Sequence, residues 1–382
     1  MNISTRPFFN ALLRRPSDQA RVVLLVVALV AMVSVLGVTT GSLGLSAAGV
    51  SDSASVGEPV ALDFSADRVA TAADTLIDTT LVALPRTPGP AAWVPDGRPG
   101  DLRIDATGDV LPDDYVAAAP AQVIRDLSYG PDDVHRFDLY LPEQSNAPVI
   151  VFLHSGGWIG GDRSMVPERI LRFVERGYAV ASVDYRLAPD HPFPAPIHDV
   201  KRAVRELKVL ADDGDLIDGD RMVLYGTSAG GHIAAFVAAT EGDFEPTDLT
   251  EAQAAHDSSV AGIVVAVGPT DLVQMYDHPN AWARGMSGAH AGCEPCTTAQ
   301  LELPSVGNYL HGDLPPAYWA YGDEDPLVDA ELQGRVMADA WAQASGSEYS
   351  WFDLVEGSDH NLTGAVVNQR LIEAFVDQAV DR

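Results

Sequence analysis

Apolar and polar positions change their rhythm near Ala121, and the elements of a folded body can be read from there on. "QVIRDLSYG" and "HRFDLYLP" alternate apolar with polar residues on either side of the polar turn "GPDD". That period predicts two half-buried strands joined as an N-terminal hairpin. The runs that follow, "APVIVFLHS" and "YAVASVDYR", are continuously apolar, as strands buried on both faces are. "RMVLYG", "VAGIVVAVGP", "PPAYWAYGD" and "SEYSWFDLVEG" supply four more strands. Helix-type spacing lies between them. "MVPERILRFVERG" closes on a glycine, and "APIHDVKRAVRELKVLADD" places Val200, Val204, Leu207 and Leu210 on one face. Further helices are expected from Ser228 to about Thr240, near Asp329–Ala344 and over Ala365–Val380. Strands alternating with helices predict an α/β fold, a doubly wound and mostly parallel sheet covered on both faces.

Ahead of this body the pattern is of another kind. No residue between Val22 and Ser51 is charged, and Val22–Val38 is almost wholly aliphatic. A run of about 20 such residues is long enough to cross a bilayer as a helix. Arg6, Arg14, Arg15 and Arg21 precede it against one acid, Asp18, a bias that keeps the N-terminus in the cytoplasm and sends the body outside. The expected organisation is a basic cytoplasmic leader (1–21), a transmembrane anchor (22–45), an Ala/Pro/Gly/Asp-rich stalk (46–120) and the folded α/β domain (121–382). The small residues of "GLSAAG" offer the rival reading of a cleaved signal peptide, which exports the body equally.

Composition narrows the function classes. The 382 residues include 24 Lys and Arg against 54 Asp and Glu, a formal net charge of −30. A surface this acidic repels phosphate backbones, so nucleic acid is excluded as a partner. The acidity itself serves solubility and names no reaction. The two cysteines, Cys293 and Cys296, stand in "GCEPC" after a stretch, "ARGMSGAHAG", that reads as a loop. Outside the cytoplasm they are a candidate disulfide stapling one loop. A zinc site needs further ligands and the sequence has no second cysteine pair, so no metal is expected.

The chemistry gathers at the ends of the strands. "GTSAG" (Gly226–Gly230) places Ser228 between small residues where a strand turns into a helix. A serine on such a turn stands at the mouth of the sheet, with a helix N-terminus behind it. Packing alone also favours small residues there. "HSGGW" (His154–Trp158) follows the strand "VIVFL"; Gly156 and Gly157 there, with Ala229 after the serine, can aim backbone N–H groups at a developing oxyanion. His154 precedes these donors and suits a loop-orienting hydrogen bond. A serine hydroxyl also needs a base and an acid that orients it. His360, in "EGSDHNL", is the single histidine beyond Asp325, while Asp323, Glu324 and Asp325 in "AYGDEDPLV" are all candidates for the acid.

"HSGGWIGGD", "DYRLAPDHPFPAPIHDV", "GTSAGGHIAA", "YGDEDPLV" and "GSDHNL" together resemble the α/β-hydrolase esterases. The nearest groups are the hormone-sensitive-lipase-like carboxylesterases and the feruloyl/acetyl-xylan esterase-like (BD-FAE) group. The resemblance covers about Ile124 to the C-terminus. It implies an α/β-hydrolase fold with Ser228 as nucleophile, His360 as base and Asp325 as its orienter. Gly156, Gly157 and Ala229 carry over as the oxyanion hole, and no cofactor is implied. Ser155 stands where the family has glycine, and the first 120 residues do not match.

The expected function is serine-dependent hydrolysis of a small-molecule or carbohydrate ester by a membrane-tethered, extracytoplasmic enzyme. The same fold and triad serve lipases, formamidases and peptidases, and a non-catalytic ectodomain that binds a cell-envelope partner is the reading from another class. Trp158 is a candidate for the substrate pocket as well as for packing. Asp184, Tyr185 and Arg186 are expected to brace the sheet, and His232 to make a structural hydrogen bond.

Overall fold

The computed structural model describes residues 120–346, 350–362 and 369–382. The expected leader, the expected anchor over 22–45 and the expected stalk up to residue 119 lie outside the described residues. Among the described residues no helix is long and apolar enough to cross a membrane.

In chain order the elements are β1 (Gln122–Ser128), β2 (Arg136–Leu141), β3 (Ala147–Leu153), α1 (Glu168–Glu175), β4 (Ala179–Val183), α2 (Ala195–Asp212) and β5 (Ile217–Thr227). There follow α3 (Ala229–Ala239), α4 (Glu251–Ala254), β6 (Gly262–Ala266), α5 (Leu272–Tyr276), α6 (Ala281–Ala291) and α7 (Thr298–Glu302). β7 (Ala317–Gly322), α8 (Val336–Ser345) after a π-helical turn at Ala330–Arg335, β8 (Ser350–Val355) and α9 (Gln369–Val380) complete the chain.

Eight strands form one sheet in the order β1-β2-β4-β3-β5-β6-β7-β8. β1 and β2 make the expected antiparallel hairpin, β2 pairs antiparallel with β4, and every pair from β4 through β3 to β8 is parallel. The continuous apolar runs are explained by their two covered faces. On β5, Met222 and Leu224 enter one core layer, while Val223 and Tyr225 enter the other. α2 packs the first layer through Val200, Val204 and Leu207, all fully buried, with Leu210 at its margin. α1 and α9 cover the second through Ile170, Phe173, Ile372 and Phe375.

Parallel register sets the carboxyl ends of the strands side by side. Leu153 on β3 pairs with Gly226 on β5, and Gly226 with Val265 on β6. The loops carrying His154, Ser228 and Asp325 therefore leave the sheet at the same edge.

One expectation is corrected here. "ARGMSGAHAG" is not a loop but most of α6, started by Asn280, whose side chain accepts from the Trp282 N–H, and ended by Gly292 in the left-handed region. Two interior glycines weaken helix propensity, but burial of Ala283, Met286, Ser287 and His290 along one face outweighs it.

Candidate active site

Ser228 sits on the corner between β5 and α3 with φ 54° and ψ −118°, a backbone region that side chains other than glycine rarely occupy. The corner tolerates no bulk on either side. A Cβ at Gly226 would lie 2.0 Å from the Gly230 carbonyl oxygen, and one at Gly230 would lie 2.1 Å from that of Leu153. A hydrogen bond from Ser228 N–H to Ala266 O at 2.8 Å ties the turn to the neighbouring strand.

His360 arrives from the loop after β8, and the structure brings it between Ser228 and Asp325. Its Nε2 is 2.9 Å from Ser228 Oγ and its Nδ1 is 2.7 Å from Asp325 Oδ2. The Asp325 side chain is fully buried, and its other oxygen accepts the Leu327 and Val328 N–H groups at 2.8 and 3.1 Å. A carboxylate only accepts, so Nδ1 carries the proton and Nε2 is left free to accept from the serine hydroxyl. Asp323 does different work: its Oδ1 accepts from Gly357 N–H at 2.6 Å, bracing the turn that leads to His360. Glu324 makes its bond through the backbone, N–H to Ser358 O at 3.0 Å.

The glycine loop after β3 lies beside Ser228. Gly156 and Gly157 have φ of 124° and 61°, and neither amide donates to a partner among the described residues. Both the Ile159 and Gly160 amides donate to Gly156 O at 3.1 Å, which folds the loop into a tight turn. Ala229 is the first residue of α3, so its N–H has no carbonyl within the helix to bond. His154 holds the loop from below. Its ring stacks on Tyr185 at 4.2 Å, its Nδ1–H donates to Ser155 O at 2.7 Å, and Tyr185 Oη–H donates to His154 O at 2.7 Å. Burial holds the His154 pKa below the ordinary value, keeping the ring neutral.

Trp158 does not reach an open pocket wall. It is 1% exposed, its indole N–H donates to His232 Nδ1 at 3.2 Å, and its ring stacks on His290 at 4.6 Å. The left-handed backbone at Trp158, φ 61°, turns the side chain back into the core. His232 is satisfied on both nitrogens, Nε2 donating to Pro304 O at 2.8 Å, and burial pushes its pKa down to about 4. Asp184 binds Arg163 and its carbonyl accepts from Tyr129 Oη–H at 2.6 Å, while Arg186 and His135 converge on buried Asp199. Asp184, Tyr185 and Arg186 thus brace the loops at the carboxyl end of the sheet, and none of the three bonds to Ser228 or His360.

Cys293 and Cys296 are joined by a disulfide at the end of α6. No group of three or more His, Cys, Asp or Glu that could hold a metal occurs among the described residues. Sequence reasoning missed Met286 and His290, which α6 sets against the glycine loop; their four-residue spacing between Asn280 and Gly292 was the available signal.

The comparisons agree with this architecture. The BD-FAE family model matches residues 137–339. The esterase LipQ of Mycobacterium tuberculosis is 27% identical over 266 residues, covering 66% of this chain and 60% of that protein. The carboxylesterase NlhH of the same organism is 32% identical over 196 residues, 49% of this chain and 59% of that one. The chain thus spans about six-tenths of the length of these two relatives. Among solved structures, a truncated carbohydrate esterase from gut microbiota superposes with a TM-score of 0.58 at 24% identity, covering 69% of this chain and 99% of that one. A thermophilic esterase of Thermogutta terrifontis gives 0.53 at 22% identity, covering 67% and 93%. At such identities the superpositions speak for the α/β-hydrolase fold alone. With that fold, and with a family model matched over more than half its length, the chain belongs to the BD-FAE family.

Proposed function

We propose that the protein hydrolyses carboxylic esters through an acyl-enzyme on Ser228. The observation that carries this reading is the unbroken hydrogen-bond chain from Ser228 Oγ through His360 to buried Asp325. Ser228 Oγ attacks the ester carbonyl while His360 Nε2 takes its proton, and Asp325 stabilises the imidazolium that forms. The tetrahedral oxyanion lies against the amides of Gly156, Gly157 and Ala229. Its collapse breaks the bond to the alcohol oxygen, which receives the proton from His360. Water then gives a proton to the same nitrogen and attacks the acyl carbon; collapse breaks the bond to Ser228 Oγ, which takes the proton back from His360 as the acid leaves.

Short-chain acyl esters and carbohydrate-linked esters are the substrate class we favour. The support is the names of the relatives, several of them esterases, the name of the superposed carbohydrate esterase, and the family match. The uncharged span from Val22 and the basic leader support a body held outside the cytoplasmic membrane. A hydrolysis panel tests the reading: p-nitrophenyl acetate, butyrate and octanoate, acetylated xylan, feruloyl esters and N-formylkynurenine. Turnover of acetate or sugar esters by the wild type and its loss in Ser228→Ala are expected. Activity that survives in Ser228→Ala contradicts the assignment.

A further inference from the structure

One helix touches the glycine loop without entering the scheme above. α6 presents Met286 and His290, four residues apart and so on one face. Met286 is buried, and its Sδ lies so close to the Gly157 α-carbon that a Cβ there would be 1.8 Å from it. One turn further, the His290 ring lies flat on the Trp158 indole, with centroids 4.6 Å apart and planes inclined by 17°. His290 is fully buried, and neither ring nitrogen has a hydrogen-bond partner among the described residues. Burial, and His232 beside it, hold its pKa well below the ordinary value, so it acts as a neutral plate. A buried polar ring left without partners is uncommon, and contact with Trp158 is what this position provides.

What these two side chains hold is a loop that ordinary backbone preference would not keep. Gly157 and Trp158 are consecutive residues with φ of 61° each, and the second is not glycine. The helix is itself fixed from behind. His290 O accepts from Phe193 N–H at 2.7 Å, Cys293 N–H donates to Gly288 O at 2.9 Å, and Cys296 N–H donates to Tyr276 Oη at 3.0 Å.

We propose that α6 clamps the oxyanion loop, with Met286 and His290 as positioning residues that aim the Gly157 amide before substrate arrives. The role in turnover rests on the reading of Ser228 as nucleophile; the clamp itself does not. A donor moved by a fraction of its hydrogen-bond length loses most of its value to the developing oxyanion, whereas substrate affinity depends little on it.

The test uses the full chain as wild type, Met286→Ala, Met286→Leu and His290→Phe. Leucine keeps the volume at 286, and phenylalanine keeps the stacked plate at 290. Met286→Ala should lower kcat on p-nitrophenyl acetate by about 10- to 100-fold, with KM within about twofold, and weaken binding of a trifluoromethyl ketone in parallel with kcat. Hydrogen exchange should quicken in residues 154–161 and stay unchanged in α3. Met286→Leu and His290→Phe should lie within about threefold of wild type. A Met286→Ala enzyme with wild-type kcat, or with unchanged exchange in 154–161, overturns the clamp. Loss of kcat and KM together, with faster exchange across the whole domain, reduces Met286 to a stabilising residue and overturns it too. Should the wild type hydrolyse no ester, the functional reading fails, and the exchange experiment still decides the clamp.

Discussion

Exchanging the Asp325 carboxylate for an amide tests how His360 is prepared. Oδ1 of Asp325 accepts two backbone N–H groups, from Leu327 and Val328, at 2.8 and 3.1 Å. In Asp325→Asn those donors retain the amide oxygen, and the NH₂ group must face His360 Nδ1, 2.7 Å away from the present Oδ2. An NH₂ group only donates, so Nδ1 is forced to accept and the ring proton moves to Nε2. Nε2–H then points at Ser228 Oγ and cannot take its proton. The imidazolium also loses its counter-charge. The same exchange in a serine protease triad lowers kcat by about 10⁴, about 5 kcal/mol in the barrier. We expect a loss of that order with an unactivated alkyl acetate, and a smaller one with p-nitrophenyl acetate, whose leaving group needs no proton. Asp323→Asn keeps a carbonyl for Gly357 N–H, so its cost should stay within about tenfold. Steady-state kinetics of both variants on both esters, with circular dichroism to check folding, decide the matter. A crippled Asp323→Asn beside an active Asp325→Asn refutes the assignment of the acid.

The disulfide closes a ring with a sequence separation of 3, for which loop entropy gives about 2 kcal/mol; Cys293→Ser/Cys296→Ser should lower the unfolding free energy from urea titration by no more than that, and zinc chelators should leave the wild type's activity unchanged. The His232 pKa is lowered to about 4 in the folded protein from an ordinary 6.5, so the unfolded chain binds that proton first. Its contribution is whole above pH 6.5 and falls by about 3 kcal/mol as pH drops towards 4. His290, held well below the ordinary value by burial and by His232 beside it, adds to the same acid limb, so His290→Phe should make the pH dependence of the urea midpoint less steep between pH 6.5 and 4.5; equal slopes speak against a buried neutral His290. Protease added to intact cells should remove the body and leave a small membrane fragment, and a body protected in the cytoplasm contradicts export.

The sheet was legible because each central strand is buried on both faces, and a run such as "VIVFL" has few other places to go in a chain of this composition. The corner at Ser228 was legible for a related reason. Gly226 and Gly230 are there because any Cβ would strike backbone, a constraint written directly in residue identity. The candidate acid was harder: three consecutive carboxylates share one turn, and only the folded chain separates Asp325, which meets His360 Nδ1, from Asp323, which accepts from Gly357 N–H. α6 was missed because Gly285 and Gly288 lower its propensity, while the contacts that hold it, to Gly157 and Trp158, are more than a hundred residues distant in the chain. At Gly288 a Cβ would lie 2.8 Å from Cys293 O, so tight packing and not looseness explains that glycine. Trp158 was ambiguous because a tryptophan after a glycine loop can face either way until the backbone dihedral is known.

The central claim is that Ser228 is the atom-bearing nucleophile, and covalent capture tests it most directly. The folded chain is treated with a fluorophosphonate, its intact mass is measured, and the adduct is located by peptide mapping. One adduct per chain is expected, on the peptide containing Leu224–Phe236, absent from Ser228→Ala and strongly slowed in His360→Ala. A folded, ester-hydrolysing protein that carries no adduct on Ser228, or carries it on another serine, would contradict the account.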